Sequence, residues 1–312
     1  RHGEAAIDSR QEIKGGCNVA GLHRFSIGDV AVTRIIEREG PWHDALHMYP
    51  DATAEAVKRH LAALPSFAVD PASGMINLTF QSFLLQTGQH NILIDTCVGE
   101  HENRREGLLY PKDRWRADFK AAGVTFADID FVFCTHMHVD HVGWNTRLEN
   151  GRWVPTFPNA KYIFGRREFE HWQQWYKDNG APASGPAFED SVLPIVEAGR
   201  AVLVEDDYQI NDLIHLSPAY GHTPGQCCAN LHSKGASAMF SGDAYHHPLQ
   251  VFEPGWSSIH CSDTAGSTAT RLRINEQLVD TGTLLIPAHF PGTTAGHVIG
   301  AGDGFAFKFI DR

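Results

Sequence analysis

Cysteine is scarce in this 312-residue chain and badly spaced for a disulfide framework: six residues, at 17, 97, 134, 227, 228 and 261, form no C-x-x-C pair and no regular pattern. Buried thiols are the expectation, with Cys97 and Cys134 in apolar, strand-like runs. Long hydrophobic runs are missing too. No segment approaches the roughly 18 apolar residues of a spanning helix and no secretory h-region is visible, so a soluble protein with no membrane partner is expected. Basic charge is in deficit: 26 Lys and Arg against 37 Asp and Glu leave a formal charge of -11. Nucleic acids and anionic membranes would be repelled at long range, which disfavours them as partners. Internal repeats, low-complexity tracts and a clean interdomain linker are all absent. The chain opens on Arg1, which raises the expectation that a leader or tag has been removed and leaves the compartment open between a bacterial-type cytoplasm and periplasm.

What is present suffices for a large core, since 42% of residues are hydrophobic and only 20% charged. From Asp51, DATAEAVKRHLAALP spaces Ala54, Val57, Leu61 and Leu64 as a helix does, with an acidic N-cap expected in front and Pro65 behind. INLTFQSFLLQT and HNILIDT flank a short turn and predict a hairpin ending at Asp95. PKDRWRADFKAAG (111–123) predicts a helix feeding the strand FVFC. KYIFG then gives a strand, and RREFEHWQQWYKDNG a helix with Phe169, Trp172 and Tyr176 on one face. GAPASGPAFED (180–190) reads as a capping loop. Later strands are AVLVED, DLIHLSP, SAMFSGD and TLLIPAHF, with a helix over STATRLRINEQLVDTG. Hairpins mixed with strand–helix–strand units predict a layered α/β sandwich.

Histidine, at 19 residues, is abundant. THMHVDH (135–141) places four metal-capable side chains directly after the apolar run FVFC. Residues alternating off a strand end share a direction, so His136 and His138 can hold one cation, while Asp140 and His141 project elsewhere and can hold a second. Further ligand-type residues stand at later strand ends beside glycine or proline: His222 in YGHTPGQ, Asp243 in FSGDAYHH and His289 in PAHFPG.

This set, with its H-x-H-x-D-H signature and with Asp95 in ILIDTCVG, resembles the metallo-β-lactamase superfamily from about Leu78 to His297. The intervals of 86, 21 and 46 residues between His136, His222, Asp243 and His289 look most like the branch of methyl parathion hydrolases and quorum-quenching lactonases. The resemblance implies a four-layered αβ/βα sandwich over residues 76–312, behind an N-terminal extension, 1–75, that packs on the core or on a dimer partner. It implies that His136, His138 and His222 bind a first metal and Asp140, His141 and His289 a second, with Asp243 bridging. Two divalent ions are expected, zinc foremost, with iron, manganese or cobalt as alternatives. Asp95 is expected to orient a ligand histidine by a hydrogen bond. A homodimer is implied as well.

Such a pair of ions acidifies a shared water and polarises a carbonyl or phosphoryl oxygen, so hydrolysis is the expected reaction class. Asp140 is a candidate to pass a proton to the leaving group, and Tyr245 or His246 a candidate electrophile toward the substrate oxygen. Trp144, Phe252 and Trp256 follow the ligands closely and predict an aromatic mouth, hence a moderately apolar lactone, ester or phosphotriester as the small-molecule substrate. Hydrolytic dehalogenation of a chloroaromatic, iron-dependent redox chemistry and a non-catalytic binding module are the competing readings.

Overall fold

A computed structural model describes residues 23–311; Cys17 and the rest of residues 1–22 lie outside the described residues. Nine strands come first: β1 (Arg24–Ile27), β2 (Val30–His43), β3 (Ile76–Gln86), β4 (Asn91–Ile94), β5 (Phe131–Cys134), β6 (Thr146–Glu149), β7 (Arg152–Pro155), β8 (Lys161–Gly165) and β9 (Ala201–Val204). β6 and β7 form a small ribbon, and the others a seven-stranded sheet in the order β1-β2-β3-β4-β5-β8-β9. The second sheet runs in chain order: β10 (Gln209–Asn211), β11 (Ile214–Pro218), β12 (Cys227–Ser233), β13 (Ala236–Gly242), β14 (Leu284–Pro287), β15 (Gly296–Ala301) and β16 (Gly304–Phe309). The helices are α1 (Ala45–Met48), α2 (Ala54–Ala63), α3 (Asp113–Ala121), α4 (Val139–Val142), α5 (Arg166–Asn179), α6 (Leu193–Glu197), α7 (Leu249–Phe252) and α8 (Thr264–Leu278).

The central strands read as unbroken apolar runs because both faces are covered. Ile92 and Ile94, Phe133, Ile163, Ala238 and Phe240, and Leu284 and Ile286 point into the core between the sheets. Their neighbours Leu93, Val132, Tyr162 and Phe164 turn outward onto Trp115 and Phe119 of α3 and Phe169 of α5. Met239 and Leu285 turn onto Ile274 and Leu278 of α8. The result is a four-layered αβ/βα sandwich, the expected fold class. Phe169, Trp172 and Tyr176 share the buried side of α5 as predicted.

On the N-terminal side of position 76, β1 and β2 belong to the first sheet: β2 pairs with β3 from Ala31↔Gln86 to His43↔Ile76. The predicted hairpin is β3–β4. The α2 cap departs from expectation, since Thr53 and not Asp51 accepts from the Ala56 N–H; the threonine sits immediately before the first helical residue, where a side-chain oxygen reaches the exposed amides. The end of the predicted 180–190 loop is also regular, because Phe188–Val192 forms a π-helical turn. Cys97, Cys134, Cys227 and Cys228 are buried free thiols. No helix among the described residues is long and apolar enough to cross a membrane.

Candidate metal centre

The sandwich presents its chemistry along one edge, where strands end. β4 ends one residue before Asp95, β5 one before Thr135 and the histidine cluster, β13 at Gly242 and β14 two residues before His289; the β11–β12 connection carries His222. Gly242 has φ +51, and a Cβ there would stand 2.6 Å from Thr135 Oγ1, so only glycine lets β13 turn Asp243 against the β5 end.

Seven side chains converge in two groups, His136, His138, His222 and Asp243 in one and Asp140, His141 and His289 in the other. Within each group the donor atoms lie within 4.8 Å of one another. Asp243 stands between them. Its Oδ2 is 3.3 Å from His222 Nε2 and 3.8 Å from His136 Nε2, whereas its Oδ1 is 3.2 Å from His141 Nε2 and 3.1 Å from His289 Nε2. Asp140 Oδ2 lies 3.5 Å from His289 Nε2 and 3.9 Å from His141 Nε2.

The ring nitrogens that face away from the centre are tied back. His141 Nδ1 is 2.9 Å from Asp95 Oδ2, and Asp95 Oδ1 also accepts the Thr135 N–H at 2.8 Å. His289 Nδ1 donates to the Thr79 carbonyl at 2.8 Å, and His136 Nδ1 is 3.1 Å from Thr135 Oγ1. These contacts fix ring orientation and leave the opposite nitrogens for the centre.

The donor set fits cations. His138 Nδ1 lies 2.8 Å from His222 Nε2 and 3.1 Å from His136 Nε2, so three ring nitrogens converge at a spacing that one divalent ion would satisfy. His141 Nε2 and Asp243 Oδ1 are buried with no hydrogen-bond partner among the described residues. Burial, aided by neighbouring imidazoles, holds His136 and His222 well below the usual histidine range and His138 at about 4, so these three are neutral donors at pH 7. Burial also opposes charge at His141 and His289, but Asp243 and other carboxylates outweigh it and raise both. Carboxylates that outweigh burial at two histidines mark a locus of negative charge that divalent ions would satisfy.

The centre floors a cleft of about 160 Å³ that opens to solvent. Trp42, Met48, Leu78, Phe80 and Leu108 form its apolar wall, while Arg105, Ser184, His246 and His260 supply polarity. Phe80 packs edge-on to His289 at 5.1 Å and Trp42 on Phe80 at 4.8 Å. The residues expected at the mouth lie elsewhere. Trp144 is buried, stacked 4.3 Å from Trp115, with its indole N–H on Glu37. Trp256 packs with Tyr49 and His60, and Phe252 lies beside His60 on a separate depression with Phe67 and Phe307. Each aromatic is drawn into a local apolar cluster in preference to the wet cleft. Tyr245 is likewise corrected: its hydroxyl donates to Asn275 Oδ1 at 2.7 Å inside the α8 core. His246 does line the cleft, its Nε2 3.3 Å from Asp243 Oδ2, and neither ring nitrogen has a hydrogen-bond partner among the described residues. Sequence reasoning missed Trp42 and His260, which line the cleft; the high histidine count was a signal for His260 alone, since β2 and the loop before α8 carry no motif.

A four-layered αβ/βα sandwich with two His/Asp groups sharing one aspartate at its strand ends defines a class of metal-site proteins. The description of the Metallo-beta-lactamase superfamily matches residues 81–289, and the chain belongs to that superfamily. It is 27% identical over 164 residues to an N-acyl homoserine lactonase of Bacillus cereus, a match covering 48% of this chain and 57% of that protein. A second N-acyl homoserine lactonase, AttM of Azorhizobium caulinodans, is 35% identical over 66 residues, 20% of this chain and 22% of that one. The chain thus spans little more than half the length of the Bacillus relative. Among solved structures, the hydrolase AbOPH superposes with a TM-score of 0.77 at 23% identity, covering 95% of this chain and 99% of that one. AidC, a dizinc quorum-quenching lactonase in complex with a product, gives 0.74 at 21%, covering 94% and 98%. At these identities the superpositions speak for the fold.

Proposed function

We propose that this chain is a dinuclear zinc hydrolase that cleaves a small, moderately apolar lactone, ester or phosphotriester. The observation that carries this reading is Asp243, whose two oxygens face different groups of ligand-type side chains. His136, His138 and His222 would hold one ion, Asp140, His141 and His289 the other, and Asp243 both. Two divalent ions supply Lewis acidity toward a carbonyl or phosphoryl oxygen and a water acidified toward neutrality. The names of the relatives, lactonases in two organisms, favour an ester-type bond.

The residues around the centre divide the remaining work. The wall of Trp42, Met48, Leu78, Phe80 and Leu108 takes the apolar part of the substrate and displaces water beside the scissile bond. Asp140 faces the cleft, where its carboxylate can accept a proton from the attacking water and return it to the departing oxygen. His246, with neither ring nitrogen hydrogen-bonded among the described residues, could donate to a substrate oxygen.

The test is a panel of lactone, aryl ester, phosphotriester and chloroaromatic probes on zinc-replete wild type and Asp243→Ala. The proposal predicts turnover of at least one ester-type probe, lost by about a thousandfold or more in the variant. Chloride release alone would instead establish the dehalogenase, and unchanged turnover in the variant would remove Asp243 from the mechanism.

A further inference from the structure

A buried carboxylate outside the motif set ties together the two loops that carry the first group of histidines. Glu168, in the first turn of α5, is 1% exposed. Its Oε1 accepts the backbone N–H of Met137, the residue between His136 and His138, at 3.0 Å, and the Trp172 indole N–H at 2.7 Å. Its Oε2 accepts the N–H of Gly225, three residues beyond His222, at 2.9 Å. Trp172 in turn sets its ring edge-on against His138, with centroids 5.6 Å apart. Gly225 is pressed so closely on α5 that a Cβ would lie 2.3 Å from the Glu168 nitrogen. The second group is held by different anchors, Asp95 on His141 and the Thr79 carbonyl on His289.

We propose that Glu168 is a positioning residue that sets the spacing of His136, His138 and His222 and thereby governs retention of the first cation selectively. This inference rests on the dinuclear reading above. A carboxylate has acceptor lone pairs on both oxygens and can serve amides arriving from two loops at once. Glutamine has the same shape but turns an NH2 group toward one of those N–H donors, so one loop loses its anchor while the helix persists. Donor–donor repulsion at either Met137 or Gly225 displaces one side of the His136–His138–His222 cluster and leaves Asp140, His141 and His289 on their own supports.

Cobalt(II) titration of metal-stripped Glu168→Gln, with chelator competition, reads this directly through ions bound per chain and visible absorption. Wild type should bind two equivalents. The variant should bind one with unchanged affinity and the other about 10- to 100-fold more weakly, the usual effect of losing a partner beyond the ligands. Its one-equivalent spectrum should overlay that of His138→Ala and differ from that of His289→Ala. Two equivalents at wild-type affinity in E168Q, or equal weakening of both, would overturn the proposal. Should E168Q fail to fold, Glu168→Asp decides: it keeps the charge, but a carboxylate one methylene shorter cannot reach the Met137 and Gly225 amides together. Several-fold weakening of the first ion alone supports the brace, and wild-type affinity for both refutes it. A wild type binding fewer than two ions would bring down the dinuclear reading itself, whereas two ions in wild type with an unaltered E168Q would bring down only the brace.

Discussion

Tyr245 and His246 are adjacent in sequence and opposite in fate: one hydroxyl is bonded into the α8 core, one imidazole opens on the cleft. Sequence order alone left the two equivalent, because the direction of a side chain just past a strand is set by the turn it enters. Replacing Tyr245 by Phe leaves Asn275 Oδ1 without this buried donor and should cost about 1–3 kcal/mol in denaturant unfolding with KM unchanged. His246→Ala should lower kcat by about 10- to 100-fold with a comparatively small effect on the unfolding midpoint. Glu102 provides a pH test away from the ligands. Burial raises its pKa to about 9, against the opposing Arg104, and its Oε1 has no hydrogen-bond partner among the described residues. A raised carboxyl binds its proton more tightly in the folded state, so stability is fully present below the unfolded pKa near 4.5 and declines as pH climbs toward 9. Glu102→Gln should therefore raise Tm relative to wild type at pH 8 and lose that advantage at pH 4.5.

At the scale of elements, the candidate ligands were legible because polar side chains clustered at the ends of apolar strands have few other uses. THMHVDH after FVFC, Asp243 after SAMF and His289 after TLLI follow this logic, and the structure brings all of them together. The cleft wall was not legible. Trp42 comes from the far end of β2 and Met48 from α1, both brought to the β5 end by sheet pairing distant in sequence. Trp144 followed the signature closely, yet the 3-10 turn 143–145 carries it inward onto Trp115. Trp42→Ala should raise KM for an apolar-tailed substrate about tenfold, equivalent to ~1.4 kcal/mol of lost apolar contact, and change kcat far less. Phe252→Ala, on its separate depression, should leave KM unaltered in the same steady-state assay.

Across the whole molecule, the two sheets each deliver part of one centre: Asp140, His141, His136 and His138 follow the first, His222, Asp243 and His289 the second. Under the dinuclear reading, ions gripping both halves would add binding free energy to folding, so chelation should lower Tm by on the order of 5–15 °C, measured by calorimetry before and after zinc is restored. The layered architecture followed from the alternation of helices and apolar runs. The contribution of β1 and β2 to the first sheet did not, since nothing local marks which edge a strand joins. The central claim is that Asp243 is shared between two cations, and anomalous diffraction from zinc-replete crystals tests it most directly. The account predicts two peaks, roughly 3.5–4 Å apart, one beside each oxygen of Asp243; a single peak, or a pair with Asp243 turned from both, would contradict it.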